Sequence, residues 1–128
     1  MRKEVINWFR QSKADLKTAR NCFKSKDYYA SAFFAHQSIE KALKALHIHL
    51  KKELPPKTHS LIELGKALKV KKNLMPILKE MSPEYILTRY PNAAYGVPAE
   101  LYTKEKALKC IKNAEKVVKW VEKRLKIE

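Results

Sequence analysis

The sequence predicts an all-α protein: an antiparallel up-and-down bundle of the four-helix type, with short extra helices and a long Tyr- and Pro-rich loop before the last helix. Three observations predict it. Of 128 residues only 2 are Gly, while Lys, Leu, Ala and Glu dominate and β-branched residues are scattered, which is the usage of helices rather than sheets. Apolar residues recur at three- and four-residue spacing over three long stretches, the period of about 100° per residue that marks an amphipathic helix. The breaks between stretches fall at Ser25-Lys26-Asp27 and at Pro55-Pro56, residue types that end helices or start new ones. A chain of this length fits one domain, residues 1–128, and can bury a real core.

The first helix is expected from about Lys3 to Phe23, with Val5, Trp8, Phe9, Ser12, Leu16, Ala19 and Phe23 on its inner side. Its other face carries Arg2, Lys3, Arg10, Lys13, Lys17 and Arg20. Asp27 is placed to cap a central helix from Ser31 to Leu50, preceded by Tyr28 and Tyr29. Tyr28, Ala32, Ala35, Ile39, Leu43, Leu46 and Leu50 share one stripe of that helix, while Phe34, Ala30, Ala45 and Ile48 point elsewhere. A helix apolar on more than one side is buried on more than one side, so it belongs at the bundle's centre, with surface left for a second subunit.

Pro55 and Pro56 end the central helix, and Ser60 to Glu63 has the S-x-x-E form of a capping box for a third helix, Leu61 to Leu68. A short fourth segment surrounds Leu74, Ile77 and Leu78, starting near Pro76. From Ser82 to Tyr102 no clean helical period is visible. The span holds prolines, a glycine and several tyrosines, and a loop this long and aromatic in a compact domain is the best candidate for a site. Thr103 can cap the last helix, Lys104 to about Lys126, whose inner stripe is Ala107, Leu108, Ile111, Ala114, Val118, Val121 and Leu125.

Lys and Arg number 28 against 13 Asp and Glu, a formal net charge of +15. A field of that sign attracts polyanions, although a Lys-rich surface also serves ion-pair stabilisation, and charge alone does not choose between the two. Cys22 and Cys110 stand singly with no C-x-x-C, which fits free buried thiols in a reducing cytoplasm. No apolar run approaches the roughly 20 residues that span a bilayer, so no membrane association is expected.

Several chemistries have no motif here. There is no P-loop, no dinucleotide fingerprint and no zincin helix, and with glycine only at 65 and 96 a phosphate must be held by side chains or a helix N-terminus. His47 and His49 diverge on a helix, and His36 and His47 are about 16 Å apart along it, so no metal site is expected. No cofactor is expected either.

Two groups of residues carry the functional expectation. His36, Glu40 and Lys44 have i, i+4, i+8 spacing and stack beside the apolar seam. They form either a Glu40–Lys44 ion pair with a boundary histidine or the wall of a cleft against the Tyr-rich loop, and His59, in the capping loop, could fold back toward the central helix. Arg89 and Tyr90 precede Pro91, so a rigid turn holds the arginine among Tyr85, Tyr90 and Tyr95. It could grip phosphate while a ring stacks on a base, or tie the loop down through carbonyls or Glu40.

The ordered set HQSIEKALKAL (His36 to Leu46), THSLIEL (Thr58 to Leu64) and TRYPNA (Thr88 to Ala94) resembles HEPN-domain proteins, in particular the short archaeal and bacterial single-domain kind. The resemblance runs from the W-x-x-x-S-x-x-D-L pattern at Trp8 to Leu16 through the T-x-E at Thr103. It implies an up-and-down bundle that dimerises. It also implies a family tied to nucleotides, RNA and minimal nucleotidyltransferases encoded alongside as two-gene, toxin–antitoxin-like systems. Some branches are metal-independent ribonucleases with an R-x4-6-H motif. This chain departs from that pattern, because Tyr90, Pro91, Asn92, Ala93, Ala94, Tyr95 and Gly96 follow Arg89 without a histidine.

The expectation is therefore a cytoplasmic homodimer that binds a nucleotide, RNA or a nucleotidyltransferase through His36, Gln37, Glu40, Lys41, Lys44, His59, Arg89, Tyr90 and Tyr95, with Phe33 and Phe34 as dimer contacts. A degenerate ribonuclease using Arg89 and His36, and a pure interaction module, are the alternatives.

Overall fold

The computed structural model describes residues 2–126. Among them every regular element is helical: α1 (Lys3–Lys24), α2 (Tyr28–Lys51), α3 (Leu61–Leu68), α4 (Met75–Met81), α5 (Glu84–Leu87), α6 (Pro91–Ala94), α7 (Pro98–Leu101) and α8 (Lys104–Leu125). Cross-helix bonds define the layout. Ser12 Oγ donates to the Ser38 carbonyl at 2.6 Å and Ser31 Oγ to the Ala19 carbonyl at 2.8 Å, so α1 and α2 run antiparallel. Lys13 meets Glu122 and Arg20 meets Glu115, so α1 is also antiparallel to α8. It follows that α2 and α8 run the same way, with α3 to α7 as the returning fourth side of the bundle.

The core is the meeting of these faces. Val5, Phe9, Leu16 and Ala19 of α1, Ile39, Leu43 and Leu46 of α2, Leu61 and Leu64 of α3, Leu78 and Met81 of α4, and Val118, Val121 and Leu125 of α8 are all buried. Burying such side chains contributes about 1.5–3 kcal/mol each, which is what holds helices as short as α3 and α4 in place. From Ala42 to Ile48 every residue of α2 is buried within the one chain. The second apolar side of α2 is thus covered over those two turns by the chain's own helices and does not by itself require a partner.

Caps account for the boundaries. Ser60 Oγ accepts from the Glu63 amide at 3.2 Å, and Thr103 Oγ1 accepts from the Lys106 amide at 3.1 Å. Asp27 does hold the N-cap position of α2 but makes no side-chain cap bond, because its carboxylate takes the Ser25 hydroxyl at 2.7 Å instead. Leu50, placed by periodicity on the inner stripe, is 56 % exposed because the bundle ends one turn earlier. The Tyr- and Pro-rich span is not featureless. Pro91 and Pro98 open α6 and α7, and Pro83 precedes α5, so the prolines start single helical turns.

This arm is pinned to the bundle by a buried carboxylate. Glu84 accepts a hydrogen bond from the Tyr102 hydroxyl and lies 3.4 Å from Lys106 Nζ on α8. Both cysteines are free, and burial pushes the Cys110 thiol up to about 12. No helix among the described residues is long and apolar enough to cross a membrane.

Candidate functional site

The N-terminal half of α2, the loop leading into α3, and α5 converge on the ring of Tyr85. His59 lies flat against that ring, with centroids 4.0 Å apart and planes 10° from parallel. Phe33 and His36 of α2 flank it at 6.1 and 5.6 Å. The guanidinium of Arg89, one turn beyond Tyr85, sits 4.8 Å from the Tyr85 centroid, 5.1 Å from Tyr90 and 5.5 Å from Phe33. Each such contact is worth about 0.5–1 kcal/mol at an exposed site. Together they orient a planar cation at the surface.

The Arg89 guanidinium makes no hydrogen bond or ion pair among the described residues, while its backbone amide donates to the Ile86 carbonyl at 3.0 Å. Neither the loop carbonyls nor Glu40 takes the guanidinium. Glu40 is occupied elsewhere: it is 3 % exposed, its Oε2 accepts from Lys44 Nζ at 3.0 Å, and its Oε1 lies 3.0 Å from His59 Nδ1. A carboxylate that needs two donors to be tolerated in the interior is thereby satisfied. His59 turns Nδ1 to Glu40, so Nε2 lies on the other edge of a half-exposed ring that packs on the same Tyr85 as Arg89.

The other expected residues divide around this centre. Lys44 is buried over the Trp8 ring at 5.6 Å and serves Glu40, not the surface. His36 is fully buried, with Nδ1 against the Gln37 side-chain oxygen at 3.0 Å and Nε2 unpartnered, and burial holds its imidazole below the ordinary histidine range. It is not accessible to a ligand. Gln37 reaches the cluster only through His36. Lys41 turns away to Asp15 of α1 at 2.5 Å. Tyr90 packs on Arg89, whereas Tyr95, with a left-handed backbone (φ 56°), is 95 % exposed and outside the cluster. Phe33 belongs to the cluster, and Phe34 packs half-buried on its own chain's core. Tyr85, the ring that organises the site, has a sequence signal only in being four residues before Arg89, one helical turn away.

The HEPN domain model matches residues 5–124. The chain belongs to the HEPN family. This HEPN protein is 28 % identical over 131 residues to a protein of Methanocaldococcus jannaschii named "Putative toxin MJ1304", covering 93 % of this chain and 86 % of the relative. Its fold is that of TT1696 from Thermus thermophilus, with a TM-score of 0.88 at 29 % identity over 95 % of this chain and 98 % of the other. ST0689, described as an archaeal HEPN homologue, superimposes with a TM-score of 0.80 at 28 % identity over 97 % and 98 % of the two chains. Helical fold and family, both expected from the sequence, are thus established.

Proposed function

We propose that this HEPN protein is the helical half of a two-gene toxin–antitoxin pair, a cytoplasmic homodimer that takes a nucleotide or RNA phosphate on Arg89 and has a minimal nucleotidyltransferase as its partner. The observation that carries the reading is the state of Arg89: a surface guanidinium packed against three rings and left without an acid. A planar fork of donors suits phosphate oxygens, and holding it in place beforehand reduces the ordering cost of binding. Tyr90, 44 % exposed beside it, offers a face for a base. Ile86, Val97 and Leu101, each about half exposed, lie on the same arm and supply apolar area for a second copy next to Phe33.

The His59–Glu40 pair favours a second reading, RNA cleavage with a histidine from outside the R-x4-6-H position. His59 Nε2 would take the proton of a ribose 2′-hydroxyl, and that oxygen would attack phosphorus. The bond to the 5′-oxygen breaks, the leaving oxygen takes a proton from solvent, and Arg89 neutralises the phosphoryl oxygens. His36, fully buried with Nδ1 on Gln37 and only Nε2 unpartnered, is not suited to that role.

Incubating end-labelled RNA with the purified protein separates the readings. Intact RNA with a gel shift that is lost in Arg89→Ala supports binding without cleavage. Cleavage abolished by Arg89→Ala and by His59→Ala supports the second reading. RNA neither shifted nor cut, with Arg89→Ala indistinguishable from the parent, sinks both.

A further inference from the structure

One large face of this protein carries two rows of exposed cations, and the acids between them are taken up in ion pairs. Lys112, Lys116, Lys119 and Lys123 of α8 are exposed and have no ion-pair partner among the described residues. At 100° and 1.5 Å per residue they fall on one stripe about 16 Å long, stepping roughly 6, 4.5 and 6 Å. Across the seam, Arg10, Lys17 and Lys24 of α1 are likewise exposed and unpaired. The seam is closed by Lys13–Glu122 and Arg20–Glu115, which consume its acids and leave a shallow groove of about 240 Å³ over Leu16 and Val118. The helical period places both cationic rows outward of these pairs, on the side of α1 and α8 away from α2.

We infer that the outer α1/α8 face is a track for the phosphate backbone of a nucleic acid, separate from Arg89. Two observations favour nucleic acid over an acidic protein. The rows are regular and nearly all lysine, point charges suited to phosphates rather than to a shaped partner. The middle of the face also lacks an exposed large apolar side chain: on these helices only Ile6 and Leu108 are exposed, near the two ends, whereas protein interfaces are anchored by buried aromatic and aliphatic groups. A track that touches only phosphates reads neither base nor sugar, so RNA and single-stranded DNA of one length bind it alike. The inference rests on the nucleic-acid reading of the ligand and extends it from one phosphate to a strand.

The test is the salt dependence of binding a fluorescent 20-nucleotide RNA, and its DNA counterpart, to the full chain. Replacing Lys112, Lys116, Lys119 and Lys123 together by Gln preserves helix propensity, and circular dichroism checks the fold. Each lost phosphate contact lowers the slope of log affinity against log salt by about 0.7, so the quadruple variant loses up to about 3 in slope and binds both strands more weakly. A control removing Lys51, Lys66, Lys71 and Lys72 changes the slope far less. Equal effects of the two quadruple variants would overturn the inference in favour of net charge alone, as would no effect of the first. So would loss of poly-glutamate binding with RNA binding intact. Binding of a mononucleotide, read separately, stays with Arg89 and is unchanged in the lysine variant, so failure there counts against the Arg89 reading and not against the track.

Discussion

Glu40→Gln is the substitution that most directly probes how the site is built. The side chain is isosteric, so packing is preserved, but the negative charge is removed between Lys44 and His59, both held at 3.0 Å. Lys44 has only 9 % of its side chain exposed and cannot reach water without moving out from over Trp8. Removing one partner of a buried pair costs about 3–5 kcal/mol, because the remaining charge stays desolvated, and the half-exposed His59 adds less. The expected loss is therefore about 3 kcal/mol in urea unfolding followed by circular dichroism, with an unchanged m-value. The double variant Glu40→Gln, Lys44→Met removes the orphaned charge and fills the space beside Trp8, so it recovers to within about 1 kcal/mol of the parent. A single variant costing under about 1 kcal/mol, or a double no better than the single, would show that Glu40 is not the buried anion on which the cluster is organised.

The remaining expectations follow from individual residues. Burial lowers the pKa of His36, so the unfolded chain binds the extra proton first as acid is added. Stability then falls as pH drops below the ordinary histidine value of about 6.5, and the fall is shallower in His36→Gln, measured by urea midpoints from pH 7.5 downward. Thr103→Ala removes the cap of α8 and costs about 1 kcal/mol, read as a lower melting temperature. Lys52 and Lys69 end α2 and α3 in the left-handed region at φ 55° and 54°, so Lys52→Gly and Lys69→Gly each stabilise by up to about 1 kcal/mol. Tyr95→Ala leaves both stability and nucleotide affinity nearly unchanged, while Tyr85→Ala weakens both, by calorimetry and titration.

Much of the fold was legible because helical periodicity, proline and cap residues act locally. Leu61–Leu68 and the caps at Ser60 and Thr103 have the expected bounds and bonds. Asp27 failed as a side-chain cap for an equally local reason, the competing Ser25 hydroxyl. The turns α5 to α7 were hidden because elements of four residues are too short to show a period, and their prolines read as breakers when they stand at helix starts. In the site, the pairing of Glu40 with Lys44 follows from i, i+4 spacing. The closure of His59 onto Glu40 and Tyr85 depends on how the chain folds back in three dimensions, which no local spacing encodes. Spacing likewise could not tell that Lys41 would find Asp15 on α1, or that His36 would be sealed under Tyr85 while His59 stayed open.

The central claim, that the Arg89–Tyr85–His59 cluster receives a phosphate-bearing ligand, is tested most directly by titrating isotope-labelled protein with a nucleoside monophosphate and following amide and imidazole resonances. The account predicts saturable shifts confined to Phe33, His59 and the segment from Tyr85 to Tyr90, abolished in Arg89→Ala. Shifts that stay elsewhere, or that persist undiminished in Arg89→Ala, would contradict it.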